Sequence, residues 1–109
     1  MQKTQTTLGP VQIGILLLAL ATAGIHIFLA IPANLVMFYL NGIGYIVLAL
    51  ALFLPQFKNY RGQIRWVLIA FTLVTIIGWV AVGERSTIAY IDKIIEVALL
   101  VLLWLDRGR

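Results

Sequence analysis

The side chains able to do chemistry in this sequence are few, and four of them stand inside long apolar stretches: His26, Asp92, Lys93 and Glu96. Asp92 and Glu96 are four residues apart, so on a helix they share one face, with Lys93 three residues before Glu96. Two carboxylates beside an amine can hold a proton, and the lysine can pair with one of them. His26 adds the single imidazole of the chain, a group that gains or loses a proton near neutral pH. Glu96 lies about ten residues into its apolar stretch, hence roughly 15 Å deep if that stretch is a helix crossing a bilayer. A charge at that depth costs a few kcal/mol or more, so Glu96 must face protein, find a partner or take up a proton. Lys93 can supply the partner, or it can stretch towards the nearer membrane surface.

Other polar groups recur at helical spacing in the remaining apolar stretches. Ala19, Thr22, Ala23, His26 and Ala30 fall on one stripe, and its small residues permit close helix approach. Asn41 and Tyr45 are four apart, beside Gly42 and Gly44, while Thr72, Thr75 and Trp79 share a face further on. The expectation is one polar layer in the outer half of a helix bundle, made by Thr22, His26, Asn41, Thr75, Lys93 and Glu96. Thr22, Tyr45, Thr75, Trp79 and Tyr90 are the side chains that would line a ligand there. Hydrogen bonding between helices is the default role for His26, Asn41 and the threonines. Gly42-Ile43-Gly44 is too short for a dinucleotide loop, so close packing explains it better. Only His26, Asp92 and Glu96 could contribute to a metal site, and none is expected. No nucleophile–base pair, phosphate loop or zinc motif is present, and the chain is not read as an enzyme.

The elements that must position these groups follow from composition. Of 109 residues, 62% are hydrophobic and 11% charged, more apolar side chain than a water-soluble domain of this size can bury. In hydrocarbon the backbone must pair within the chain, which leaves helices or a closed barrel. Barrel strands alternate apolar and polar residues, whereas this sequence has unbroken apolar runs of about twenty. Four helical spans are expected, over 11–31, 34–54, 64–82 and 86–105. Pro10 suits a helix start, Pro32 and Pro55 suit stops, Gly83 ends the third span and Ser86 caps the fourth. Lys3 with Ala21-Thr22-Ala23 resembles a signal peptide, but the apolar run continues to Ile31, so a retained span is expected.

Lys3, Lys58, Arg61, Arg65, Arg107 and Arg109 all fall on one side of such a bundle, facing the Ile31-Pro32-Ala33 and Glu84-Arg85 turns on the other. The positive-inside rule then places both termini in the cytoplasm. Trp66 and Trp104 would lie at the inner interface, and Trp79 and Tyr90 at the outer one. The fold class expected is an all-α, up-down-up-down four-helix transmembrane bundle in the cytoplasmic (inner) membrane. The absence of cysteine removes disulfides and thiolate chemistry. The net charge of +4 reflects topology, and the basic residues form no stripe that would suit nucleic acid.

Gly24-Ile25-His26, Phe38-Tyr39-Leu40-Asn41-Gly42-Ile43-Gly44-Tyr45, Thr72-Leu73-Val74-Thr75-Ile76-Ile77-Gly78-Trp79 and Ile91-Asp92-Lys93-Ile94-Ile95-Glu96 together carry a resemblance. The chain resembles a family of small four-span prokaryotic membrane proteins classed only as a domain of unknown function. The resemblance runs along nearly the whole chain, implies four spans and points to His26, Asp92 and Lys93; it implies no activity. Three functions are therefore expected in competition. The favoured one is an accessory subunit of a larger membrane assembly, respiratory or photosynthetic, with other integral membrane subunits or further copies of itself as partners. The second is a small proton- or cation-coupled transporter with Glu96 as the titrating group. The third is a bundle binding a lipid, a quinone or a pigment, where a tetrapyrrole would need His26 alone as axial ligand.

Overall fold

The structure is a computed structural model describing residues 9–83 and 85–108, apart from the side chains of Ala33 and Gly108. Lys3 and the tail threonines Thr4, Thr6 and Thr7 lie outside the described residues, as do Glu84 and Arg109. Four helices make up most of it: α1 (Pro10–Ala33), α2 (Val36–Phe53), α3 (Arg61–Val82) and α4 (Thr87–Leu105). Short 3₁₀ turns at Pro55–Tyr60 and Asp106–Gly108 follow α2 and α4. Three segments, Pro10–Pro32, Val36–Phe53 and Pro55–Val82, are long and apolar enough to cross a membrane. Helix α4 has 19 residues but carries Asp92, Lys93 and Glu96.

The ends of the helices follow local chemistry. Pro10 opens α1, and Gln12 Oε1 accepts the Gly9 N–H at 2.8 Å, satisfying a donor at the helix start. At its other end α1 runs one residue past Pro32, the expected stop, because a proline in the last turn loses only one backbone hydrogen bond. Asn34 then adopts φ 54°, and the Leu35 N–H reaches back to the Ala30 carbonyl at 3.0 Å. This left-handed closure occupies Asn34, so α2 begins at Val36 and not at 34. Ser86 caps α4 as expected, its Oγ accepting the Ala89 N–H at 3.3 Å. The third helix departs most from expectation: it begins at Arg61, and the preceding polar segment is the 3₁₀ turn and not an irregular loop.

Cross-helix contacts fix the directions. Gln12 and Arg65, near the starts of α1 and α3, both reach Asp106 just after α4, and Arg61 reaches the Leu52 carbonyl late in α2. The helices therefore run alternately up and down along a body 51 Å long and about 20 Å wide. Trp66 and Trp104 touch edge to face at one end, with Trp79 and Tyr90 paired the same way at the other. The outward faces are apolar; Leu17, Phe28, Val74 and Ile94 are each at least 61% exposed.

Between apolar helices in lipid, association depends on close packing and cross-helix hydrogen bonds, since hydrocarbon offers no hydrophobic drive. Helices α1 and α2 meet where Gly42 has no side chain: a Cβ there would stand 2.7 Å from Ile27 Cγ1 and 2.9 Å from the Ala23 carbonyl oxygen. A backbone carbonyl cannot swing aside, so Gly42→Ala is expected to cost about 1–3 kcal/mol of unfolding free energy in detergent titration. Gly78→Ala, with nothing within 4 Å of its Cβ, is expected to change it little. Equal effects at the two positions would contradict the close approach of α1 and α2.

Candidate functional site

Helices α1 and α4 face each other through Thr22, His26, Asp92, Lys93 and Glu96, all buried. Asp92 and Glu96 point the same way because they are one turn apart, and the α1 stripe of Ala19, Thr22, Ala23, His26 and Ala30 meets them with every member buried. Lys93 Nζ donates to Glu96 Oε1 at 2.6 Å and lies 3.3 Å from Asp92 Oδ2. Of the two orientations the sequence allows for Lys93, the inward pair is the one present. Thr22 Oγ1 lies 2.5 Å from Asp92 Oδ1 and 3.0 Å from Glu96 Oε2. Tyr45 of α2 donates its hydroxyl to Glu96 Oε2 at 3.2 Å and is within hydrogen-bonding reach of Thr72 and Thr75 on α3.

The hydrogen count in this cluster is informative. His26 Nδ1 lies 2.8 Å from the Thr22 carbonyl oxygen, which can only accept, so Nδ1 carries a hydrogen. Nε2 then faces Asp92 Oδ2 at 3.6 Å and Glu96 Oε2 at 3.9 Å. With a neutral ring, a bare lone pair would be aimed at two carboxylate oxygens. Thr22 has one hydroxyl hydrogen, for which Asp92 Oδ1 is the nearer acceptor, while Tyr45 supplies Glu96 Oε2. Two ionised carboxylates and one ammonium also leave a net charge of −1 among buried side chains. The aim of His26 Nε2 and the buried net charge both ask for one more proton, shared among His26, Asp92 and Glu96.

A nitrogen of His26 and oxygens of Asp92 and Glu96 all lie within 4.8 Å of one another, so the described residues bring together three donors that a cation could meet. No metal was expected there, and Lys93 already holds one oxygen of each carboxylate.

The expected polar layer is present in part. Asn41 and Thr75 pair with each other across α2 and α3, Asn41 Nδ2 donating to Thr75 Oγ1 at 2.8 Å. Thr75 joins the cluster through Tyr45, whose hydroxyl is within hydrogen-bonding reach of it. Thr75 Oγ1 also donates to the Phe71 carbonyl, and Thr72 Oγ1 to the Leu68 carbonyl. The five side chains expected to line a ligand do not share one space. Thr22 and Tyr45 are spent on the carboxylates, whereas Tyr90 is half exposed on the outside of α4. Trp79 meets Tyr90 edge to face, with the Arg85 guanidinium 4.2 Å and the Lys93 ammonium 5.9 Å from its ring.

A second polar group, missed from sequence, closes the opposite end. Asp106 accepts from Gln12 Nε2 at 2.7 Å and from Arg65 Nε at 3.1 Å, and all three are buried. Arg61 donates to the Leu52 carbonyl at 3.1 Å, satisfying one of the free carbonyls at the end of α2. The only sequence signal was i,i+4 spacing of Arg61 and Arg65 on the helix now seen to begin at Arg61, which a loop assignment hid. No family model, curated protein or solved structure matches this chain.

Removing Lys93 strands two buried carboxylates. Lys93→Met is expected to lower unfolding free energy by about 3–5 kcal/mol, and Lys93→Met/Glu96→Gln to recover most of the loss. A double-mutant cycle in detergent checks this, and strict additivity would contradict the pairing of Lys93 with Glu96.

Proposed function

We propose that the chain is a four-span protein of the cytoplasmic membrane, with both termini inside, that works as a small proton- or cation-coupled transporter in which Glu96 and His26 carry the exchanged proton. The observation that carries this function is the aim of His26 Nε2 at Asp92 and Glu96 while Nδ1 is bound to the Thr22 carbonyl. A membrane protein has little reason to hold two carboxylates and an imidazole at the middle of its bundle except to bind charge. Helix α4 fits a fourth span because its three charges are paired within the bundle, and one bound proton brings them to neutrality. Orientation is supported by Lys58, Arg61, Arg65 and Arg107 at one end against Arg85 at the other. Membership of the small four-span family that the motifs resemble is part of the same proposal.

Proteoliposomes containing a pH-sensitive dye test the proposal. Under an imposed membrane potential, the protein is expected to carry protons, and Glu96→Gln and His26→Gln each to cut that flux at least about tenfold, equivalent to 1.4 kcal/mol or more in the barrier. Flux unchanged in Glu96→Gln would contradict it.

A second role is favoured by a different observation. Gly24 and Gly78 lie on outward faces of α1 and α3 with nothing within 4 Å of a Cβ, and Ala21 is exposed beside Gly24. Such notches suit the close approach of another helix, from a further copy or from a larger assembly to which this chain would be an accessory subunit. Mass spectrometry of the complex extracted in mild detergent is expected to show more than one subunit, and a bare monomer would contradict this role.

A further inference from the structure

The two polar groups of the bundle are separated by a layer that contains no polar side chain. Glu96 and Asp106 are ten residues apart on α4, as are Thr22 and Gln12 on α1, which is about 15 Å along a helix axis. Thr72 and Arg65 are seven apart on α3, about 10 Å. Ile15, Ala19, Leu52, Leu68, Leu99 and Leu103 fill that interval, each at most 1% exposed. They form one contiguous apolar cluster with Tyr45 and Ala49. No hydroxyl, amide or carboxyl from any of the four helices bridges it among the described residues.

Exposure changes in the other direction. Glu96, Thr22, Tyr45 and Thr72, on the side of the apolar layer, are 0% exposed. Asp92, His26 and Lys93 lie towards the Asn34 and Gly83 end, and they are 3%, 6% and 8% exposed. The long Lys93 side chain is the outermost charged group of the cluster and has the Trp79 ring 5.9 Å from its ammonium as a second resting place. The groups facing the shared proton are His26 from α1, the Tyr45 hydroxyl from α2, and Asp92, Lys93 and Glu96 from α4. Helix α3 contributes the Thr72 hydroxyl and no charge.

We infer that the proton held by this cluster exchanges only with the water at the end of the bundle bearing Asn34 and Gly83, and that the apolar layer of Ile15, Leu52, Leu68, Leu99 and Leu103 seals it from the end bearing Arg61, Arg65 and Asp106. With the orientation proposed above, on which this sidedness rests, the buried site is reached from the outside and closed to the cytoplasm. A proton cannot hop across roughly 10 Å of hydrocarbon without a chain of hydrogen-bonding groups, and none spans the layer. Release to the cytoplasm therefore requires a second arrangement of the helices, in which α3 or α4 shifts to break the contacts of Leu68, Leu99 and Leu103. Such two-state rocking is how a transporter differs from a pore.

His26 is the single histidine, so histidine labelled with ¹⁵N reports this site alone in a protein purified without a histidine tag. The labelled protein is reconstituted in one orientation, and the pH on each side of the vesicle is set independently. The Nε2 resonance is expected to move between its bare and protonated positions with the pH on the Asn34/Gly83 side, and to stay within a tenth of that displacement when only the other side changes. A response to the Arg61/Asp106 side, or an equal response to both, would overturn the sidedness while leaving the bound proton intact. No response to either side would overturn the sidedness together with the exchangeable proton proposed for the site.

Discussion

Asp92 and Glu96 stand one helical turn apart in the middle of a bundle whose outer faces are apolar, and the cost of negative charge away from water governs what surrounds them. Lys93 balances one carboxylate from within the same helix. Thr22 and Tyr45 approach from α1 and α2 to satisfy oxygens that the lysine does not reach. His26 is turned by its bond to the Thr22 carbonyl so that its second nitrogen faces both acids. Three of the four helices are thus tied to α4 through Glu96 and its neighbours, α3 by way of Tyr45. The group that gives the bundle its chemistry also specifies how the helices meet, in a solvent where hydrophobic burial cannot do so.

The opposite end is tied together in the same way, by one buried carboxylate. Asp106 accepts from Gln12 and Arg65, joining the start of α1, the start of α3 and the end of α4, and Arg61 closes α2 onto the same corner. Between the corner and the central cluster the interior consists of alkyl groups in contact. Ion-paired layers at two depths with an apolar layer between them make a structure that is pinned at two levels and dry in the middle.

Much of this was legible in the sequence, for physical reasons that differ from place to place. The helices followed from uninterrupted apolar length, and several of their ends from Pro10, Gly83 and Ser86, where turn chemistry is local. Meeting of the Thr22 and His26 stripe with Asp92 and Glu96 followed from helical spacing, because a bilayer leaves polar groups nowhere else to go. The Asn41–Thr75 pair was expected in the same layer, yet spacing along each helix does not fix rotation about its axis. These two residues instead bond each other beside the main cluster. Arg61, ahead of the expected third span, and Arg65, in its first turn, were expected only to mark the basic side of the bundle; their side chains turn inward to the Leu52 carbonyl and to Asp106, which the local sequence does not reveal. Helix α1 runs past Pro32 to Ala33 because the left-handed turn at Asn34, not the proline, ends it.

Infrared spectroscopy of the protein in bilayers at neutral pH tests the bound proton most directly, since it sees protonated carboxyl groups and the imidazolium ring in one spectrum. The predicted result is one such signal: either a carboxylic acid band removed by Glu96→Gln or Asp92→Asn, or an imidazolium mode removed by His26→Gln. A spectrum with both carboxylates ionised and the ring neutral would contradict a proton held between α1 and α4.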